Sequence, residues 1–337
     1  MRPIVAISLG DPAGIGPEIA YKASHDPRVR AACRPLLIGD RRVLQAHAQA
    51  CGFEVDVHEI AVGDIGRSER VEFLDMDLLG AQPLRIGEIA ALHGQASVDA
   101  AGMAVDLAMS GVVDAVVAAP MTELAIHQAG IAFDGYPTFV ARRTGTPVDD
   151  AFLMLCFDDF RIVHTTLHVS MRRAIELVTE ERVLHVIKKT HDALEQLGFP
   201  SPRIAVSGLN CHAGESGLFG DEEITIISPA IAQARAAGLQ VNGPFGADIM
   251  LRMKDYDGFV VMVHDQGHVA AKLLATNRTA GLTIGTPILF SSVAHGSALD
   301  IAGKNLASPE AVVEAVTRLA AAAVRRRALA SAEPVHA

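Results

Sequence analysis

The sequence predicts an α/β protein with a largely parallel sheet, and three observations lead to this prediction. The chain has 337 residues, which is enough for one large or two medium domains. Hydrophobic residues make up 50% of the chain but aromatic residues only 4%, so aliphatic side chains must form the core. Short apolar runs alternate with longer segments of helical periodicity, the pattern of a parallel sheet covered on both faces by helices.

Each apolar run is short and continuous rather than alternating, which predicts strands buried on both faces. The predicted strands are Ile4–Leu9, Leu36–Ile38, Ala115–Ala118, Arg161–Val163, Ile204–Ser207 and Phe259–Val263. The predicted helices are Pro17–Ser24, Ala96–Met109, Glu181–Leu197, Asp221–Ala237 and Pro309–Leu329. The last helix follows Ser308, a capping residue, and has proline at its first position.

Composition excludes several classes of function. The net charge of -10 and the pI near 5.8 disfavour binding to nucleic acid or to an anionic membrane. No apolar run reaches the length of about 18 to 20 residues that spans a bilayer. The four cysteines contain no C-x-x-C pair, and the first residues read as a strand and loop rather than a signal peptide. These observations indicate a cytoplasmic protein.

A glycine-rich turn follows the first predicted strand and opens the first helix. It reads GDPAGIGPE over residues 10–18, and its Gly14 and Gly16 are candidate cofactor-binding positions. Such a turn presents backbone amides to an anion or cofactor. It lacks the G-x-G-x-x-G spacing, and a structural turn without a ligand is the alternative interpretation.

Three further strands are each followed by a histidine: His168, His212 and His264. Ligands bind at the carboxyl ends of strands in open parallel sheets. Imidazole binds zinc and other divalent metals, and three such ligands leave coordination positions for a substrate. Strand-end histidines are also common on ordinary surfaces, and spacing alone does not decide between these interpretations.

Other polar segments are weaker candidates. Lys272 is either an acid–base or carboxylate-binding lysine or a surface residue, and Asp248 is either a site carboxylate or a helix cap. The segment HGSALDIAGKN over residues 295–305 is too polar and glycine-rich for a core helix. It predicts either a loop around a flat ligand or a structural turn.

The blocks GDPAGIGPE, TTLHVSMRRA, GLNCHAGESGLFG, NGPFGAD and HDQGHVAAK resemble, in that order, the 4-hydroxythreonine-4-phosphate dehydrogenase family. The resemblance implies an isocitrate/isopropylmalate dehydrogenase-like fold, with residues 1–125 and 282–337 on the cofactor side and 126–281 on the metal and dimer side. It implies a divalent metal on the three histidines, most readily zinc, with cobalt, nickel, iron or magnesium as alternatives. It also implies a homodimer whose partner subunit completes each site. NAD would lie in the cleft, against Gly14, Gly16, His295, Gly296, Ser297, Asp300 and Asn305.

Several positions depart from the phosphate-binding members of that family. The chain has Glu123, Tyr136, Gly281 and Phe290 where those enzymes have Lys, His, Asn and Arg, which removes most of the groups that would hold a phosphate. Tyr136 and Phe290 instead suit a flat substrate. Stretches from Ala125 to Pro137, and from Ser291 to Ala298, are similar to the terephthalate cis-dihydrodiol dehydrogenase branch.

The resemblance implies NAD-linked oxidation and decarboxylation of a β-hydroxy acid, here the terephthalate cis-dihydrodiol, to protocatechuate. Lys272 would handle a proton or a carboxylate of the substrate, while Asp248 and Asp265 would orient ligands. Three alternatives remain: a 4-hydroxythreonine-4-phosphate dehydrogenase, a sugar-acid phosphate dehydrogenase, and a binding protein without activity. The distal carboxylate of the substrate has three candidate partners: Arg142, Arg143 and Arg172.

Overall fold

The computed structural model describes residues 2–275 and 278–332. It divides into two compact units, one of Met1–Thr146 with Thr286–Ala337 and the other of Pro147–Gly285. Strands and helices alternate in both, which confirms the predicted α/β class. Of the helices in these described residues, none is both long and apolar enough to cross a membrane.

The first unit contains six parallel strands in the order β3-β4-β2-β1-β5-β12. The strands are β1 (Ile4–Ser8), β2 (Arg34–Gly39), β3 (His58–Glu59), β4 (Glu72–Asp75), β5 (Ala115–Ala118) and β12 (Leu289–Val293). The helices are α1 (Gly16–His25), α2 (Pro27–Ala32), α3 (Arg41–Cys51), α4 (Ala91–Met109), α5 (Glu123–Gln128), α6 (Tyr136–Thr144) and α12 (Glu310–Ala332).

The central strands of this unit are buried on both faces, as their continuous apolar sequences predict. Ala6, Leu36 and Val116 pack in one core cluster with Ala104 and Val105 of α4. Successive side chains of a strand point to opposite faces of the sheet. The strand residues next to Ala6, Leu36 and Val116 therefore point to the face opposite α4. Those residues are also fully buried: Val5, Ile7, Leu37 and Val117.

The structure divides the chain after Thr146 and after Gly285, whereas the resemblance implied approximate boundaries after residues 125 and 281. The first unit extends to Thr146 rather than residue 125, so α5 and α6 belong to it. The reason is tight helix packing: a Cβ atom on Gly94 of α4 would overlap the backbone of Ala125 and Ile126 in α5. The sequence shows the glycine but does not show which backbone it approaches.

The second unit contains six strands in the order β11-β6-β7-β10-β8-β9. The strands are β6 (Phe152–Phe157), β7 (Phe160–His164), β8 (Arg203–Ser207), β9 (Gln240–Phe245), β10 (Gly258–Val261) and β11 (Ala280–Ile284). The helices are α7 (Met171–Leu177), α8 (Glu180–Leu197), α9 (Ser228–Ala236), α10 (Ala247–Met250) and α11 (His264–Leu274).

Several elements of the second unit were not predicted. They include the strands β6, β9 and β11, and β6 pairs antiparallel with β7 and with β11. Its hairpin with β7 turns at Asp158 and Asp159, and Asp158 adopts a φ of 40°. The predicted helix Asp221–Ala237 is present, but it opens with a π-helical turn at Glu223–Ile227 that continues directly into α9, which has a proline in its first turn.

Buried polar groups hold the glycine-rich turn that follows β1. Asp11 is fully buried, and its carboxylate accepts the amide of Ala13 at 2.9 Å. The Nε2 atom of His47 on α3 lies 2.8 Å from the carbonyl oxygen of Pro12. Burial lowers the pKa of His47 below its ordinary value of 6.5, and the bond to Pro12 only partly opposes this effect. His47 is therefore neutral in the folded protein at neutral pH.

Replacing Gly94 with Ala tests the packing of α5 against α4. Alanine favours a helix over glycine by about 1 kcal/mol, but the added methyl group must displace the backbone of α5. We expect a net loss of about 1–3 kcal/mol in the free energy of unfolding, measured in urea. The matched control is Gly102→Ala in the same helix, whose methyl group meets only the exposed Arg143 guanidinium and should cost nothing.

The lowered pKa of His47 predicts that stability decreases in acid. Below pH 6.5 the unfolded chain binds a proton at this residue and the folded chain does not, so stability falls as pH decreases from 6.5 towards the folded pKa. Each pH unit in that window costs up to about 1.4 kcal/mol. We expect His47→Gln to weaken this acid dependence in urea unfolding. An exposed control, His58→Gln, should keep it, and equal slopes for both variants would contradict the assignment.

Candidate functional site

The three predicted ligand histidines follow three adjacent parallel strands of the second unit. Strand β10 pairs in parallel with β7 on one side and with β8 on the other. The carboxyl ends of these strands therefore meet at one edge of the sheet. His168 follows β7, His212 follows β8, and His264 is the first residue of α11 after β10.

Hydrogen bonds bring the loop of His168 next to the end of β10. The amides of Thr165 and Thr166 donate to the carbonyls of Val261 and Met262, at 2.8 and 3.1 Å. The imidazole centroids of His168 and His264 lie 5.7 Å apart. Two of the three predicted ligands thus lie side by side.

His212 is exposed, and its ring contacts Phe219 at a centroid distance of 6.2 Å. Within residues 2–275 and 278–332, no three His, Cys, Asp or Glu side chains form a group that could hold a metal. A three-histidine site therefore stays a prediction. One chain brings together two of its ligands, His168 and His264.

The orientation of His264 fits a metal ligand. Its Nδ1 atom lies 2.7 Å from the Oδ1 atom of Asp265. An anionic carboxylate is only an acceptor, so Nδ1 is the donor, and the neutral imidazole with its proton there offers the Nε2 lone pair. Carboxylates bonded in this way typically orient metal-binding histidines. The donor set of this chain therefore suits a divalent metal of the zinc type.

Two further histidines, which sequence reasoning did not select, surround His264. His268 stacks on it with a centroid distance of 3.8 Å and an angle of 8° between the rings. The Nδ1 atom of His268 lies 3.1 Å from the Nε2 atom of His164. Burial, with the neighbouring imidazoles, lowers the pKa of His164 to about 3 and that of His268 to about 4. Both rings are neutral at physiological pH.

The segment that carries His212 has an unusual backbone. Six consecutive residues have positive φ values, between 42° and 96°: His212, Ala213, Gly214, Glu215, Ser216 and Gly217. Together they form a left-handed turn, which costs about 1–2 kcal/mol per residue for amino acids other than glycine. Such conformations persist only where surrounding contacts enforce them.

Two groups that the sequence analysis missed, the buried Glu223 and the half-buried Gln266, contact the residues that lead into this turn. Glu223 accepts hydrogen bonds from the amides of Leu209 and Asn210, and Gln266 donates to the carbonyl of Gly208. Burial alone would raise the pKa of Glu223, but the hydrogen bonds from Asn210 and Leu209 hold it below its ordinary value. Gln266 lies inside the HDQG block, which was its only signal in the sequence.

The predicted acid–base and orienting residues are exposed. Lys272 lies two turns after His264 on α11, about 12 Å further along the helix axis. Asp248 lies in the first turn of α10, which packs against β8 and the His212 turn. Asp265 has a direct bond to a predicted ligand, His264. The catalytic roles of Lys272 and Asp248 stay predictions.

The glycines predicted to bind the cofactor are closely packed in the first unit. A Cβ atom on Gly14 would lie 2.6 Å from the Cβ atom of Ser297, and one on Gly16 would overlap the carbonyl of Leu9. The amide of Ile15 donates to the carbonyl of Ser297 at 2.8 Å. The turn and the 295–305 loop are therefore joined, and the structure gives both glycines a packing role.

The same loop also exposes several of its predicted cofactor residues. Gly296, Asp300 and Asn305 are exposed, whereas Ser297 is buried and accepts the hydroxyl of Thr122 at 2.9 Å. Burial lowers the pKa of His295, whose Nδ1 atom lies 3.1 Å from the carbonyl of Gly296. The exposed positions are the part of the loop that a nucleotide can reach, and their contact with NAD stays a prediction.

The two predicted substrate residues of the first unit lie in an aromatic cluster. The rings of Tyr136 and Phe290 are 5.2 Å apart, and both join the core around α4. The Tyr136 hydroxyl donates to the carbonyl of Ala119 at 2.7 Å, and burial raises the pKa of that hydroxyl. Phe290 is 1% exposed. The structure gives both residues packing roles, and their contact with a substrate stays a prediction.

The candidate carboxylate-binding arginines differ in their surroundings. Arg142 pairs with Asp134, and Arg143 pairs with Asp106 through two donors, its Nε and Nη2 atoms. Arg172 is exposed on α7, four residues after His168. Of the three, Arg172 is the one in the unit that carries the histidines.

Comparison with known proteins identifies the relatives of this chain. The family described as Pyridoxal phosphate biosynthetic protein PdxA matches residues 31–319. A protein assigned as a D-threonate 4-phosphate dehydrogenase of Symbiobacterium thermophilum is 41% identical, over 94% of this chain and 95% of the relative. The 1,2-dihydroxy-3,5-cyclohexadiene-1,4-dicarboxylate dehydrogenase of a Comamonas species is 40% identical, over 94% of this chain and 97% of the relative.

Solved structures agree with these matches. The 4-hydroxythreonine-4-phosphate dehydrogenase of Klebsiella pneumoniae is 34% identical with a TM-score of 0.85, covering 96% of this chain and 98% of that one. The terephthalate 1,2-cis-dihydrodiol dehydrogenase of Burkholderia xenovorans is 38% identical with a TM-score of 0.68, covering 95% and 98% of the two chains. Fold, motifs and sequence identity together lead to one conclusion: the chain belongs to the PdxA family and is a dehydrogenase of that family.

Proposed function

We propose that this protein is a metal-dependent, NAD-linked dehydrogenase that oxidises and decarboxylates the terephthalate cis-dihydrodiol to protocatechuate. The observation that carries this proposal is the apolar packing of Tyr136 against Phe290, because the family resemblance implies a histidine and an arginine at these two positions in the phosphate-binding members. Aromatic and apolar side chains there leave a phosphate without its partners. The 40% identity to the Comamonas enzyme supports the same substrate.

The chain's own groups suit the chemistry that a β-hydroxy acid requires. His168, His212 and His264 would hold a divalent metal, and Asp265 keeps the Nε2 atom of His264 available for it. Such a metal favours ionisation of a substrate hydroxyl and the loss of CO2, and NAD accepts the hydride. Lys272 would bind a carboxylate of the substrate or deliver a proton to the product.

A second substrate class has a specific observation in its favour. The protein assigned as a D-threonate 4-phosphate dehydrogenase is as similar to this chain as the Comamonas enzyme, at 41% and 40% identity. Such a substrate is also a β-hydroxy acid, and it differs in carrying a phosphate. A positively charged group would therefore be needed near the substrate, and Arg142 and Arg143 on α6 are already paired with carboxylates.

We further propose that the protein acts as a homodimer in which the partner completes each metal site. Several exposed apolar side chains lie on the segments that also carry the histidines and Asp248. They are Val169, Met171, Leu218, Phe219, Ile249, Val269 and Leu273, and Leu273 is 79% exposed. Apolar surface of this kind usually marks an interface. Residues 2–275 and 278–332 of one chain gather no three metal-binding side chains, and in the proposed dimer a second copy would supply the third ligand.

Substrate preference tests the proposed activity. We expect NADH to form when the zinc-loaded protein meets the terephthalate dihydrodiol, with protocatechuate and CO2 as products. D-threonate 4-phosphate and 4-phosphohydroxythreonine serve as comparison substrates. We expect kcat/KM for the diol to exceed both by about 100-fold or more, because an unpaired phosphate loses its binding energy. Turnover of a phosphate ester alone would assign the protein to the other branch.

Mixed dimers test whether the metal site is shared between subunits. His264→Ala and His212→Ala chains, each with its own affinity tag, are coexpressed and the mixed dimer is purified. If His212 serves the partner's site, one site of the mixed dimer is intact and about half of the wild-type activity returns. Each variant alone should be inactive and bind zinc weakly. An inactive mixed dimer would show that all three ligands come from one chain.

A further inference from the structure

The carboxylate of Glu223 is buried beneath the turn that carries His212. It is 2% exposed and starts the π-helical turn before α9. Its Oε1 atom accepts the amides of Leu209 and Asn210, both at 2.7 Å, and its Oε2 atom accepts the Asn210 side-chain amide at 3.0 Å. A buried carboxylate with this many donors fixes the backbone that supplies them.

Two glycines leave room for this carboxylate, because a Cβ atom on either of them would collide with it. A Cβ atom on Gly208 would lie 2.8 Å from Oε1 of Glu223, and one on Gly214 would lie 2.6 Å from Oε2. Gly208 precedes His212 and Gly214 follows it. The carboxylate therefore fills the inside of the turn and contacts both of its sides.

Gln266 joins the same turn to the helix that starts with His264. Its Oε1 atom accepts the amides of Met262 and Val263, at 2.9 and 3.1 Å. Its Nε2 atom donates to the carbonyl of Gly208 at 3.0 Å. One side chain thus connects the end of β10 to the first residue of the His212 segment.

We propose that Glu223 and Gln266 are positioning residues that hold His212 in its left-handed turn and fix that turn to the helix of His264. The inference rests on the proposed function, because it takes the histidines as metal ligands. Neither residue needs to touch the metal or the substrate. Their contribution is to keep the turn in a conformation that the backbone alone disfavours. Zinc affinity should therefore depend on them as it depends on other groups that orient ligands.

The variants are chosen to remove contacts without changing side-chain size. Glu223→Gln keeps one acceptor oxygen but places an amide donor where Oε2 accepts from Asn210. Gln266→Met removes both the acceptor and the donor. The matched control is Glu181→Gln, the same chemical change at an exposed position of α8. If Glu223→Gln does not fold, Asn210→Ala removes the side-chain donor and leaves the carboxylate in place.

Zinc affinity, measured by competition with a chromophoric chelator, is the main readout. We expect Glu223→Gln and Gln266→Met to bind zinc about 10- to 100-fold more weakly, at a temperature where circular dichroism shows them folded. The control should match the wild type. Amide exchange at Leu209 and Asn210 should quicken in Glu223→Gln even without zinc, because their acceptor has changed.

The outcomes separate this inference from the function on which it rests. Wild-type zinc affinity in both folded variants, with unchanged amide exchange, would overturn the positioning roles and leave the three-histidine site standing. A lower melting temperature with unchanged zinc affinity would also overturn them, since it marks a purely structural role. Equal zinc affinities of the wild-type protein and the His264→Ala variant would overturn the proposed metal site itself.

Discussion

The parallel pairing of β7, β10 and β8 is the constraint on which the candidate site depends. It brings three strand ends to one edge, so residues more than 90 positions apart in the sequence become neighbours: Thr166 bonds to Met262 across 96 positions. Apolar burial on both faces fixes the register of these strands. The position of each histidine follows from that register and from the short loop that continues it.

The parts of the fold that could be predicted are those with a strong local signal. Val- and Ile-rich runs identified β1, β5 and β8, and helical periodicity identified α4 and α8. Strand β6 was missed because its run FLMLCF, though apolar, is separated from β7 by only two aspartates. Its antiparallel pairing also contradicts a simple alternation of strands and helices. The unit boundary depends on the contact between Gly94 and α5, which no local pattern records.

The site shows the same division between local and distant information. The histidines could be selected because each follows an apolar run, and the HDQG block includes Asp265, which orients His264. Glu223 and Gln266 could not be selected, because their contacts join segments 13 to 58 positions apart. The close packing of Gly14 was equally invisible, since a glycine that admits a ligand and one that admits a neighbouring side chain look alike in sequence.

The left-handed turn at His212 has a thermodynamic consequence for any ligand that binds there. Part of the binding free energy must offset the conformational cost of the turn, unless the protein has already met that cost through contacts such as those of Glu223. Preorganisation of the turn then sets both the affinity for a bound metal and the rate at which that metal exchanges. A metal bound to a rigid turn would dissociate slowly during dialysis. A metal bound to a turn without these internal contacts would exchange readily with metal ions in solution.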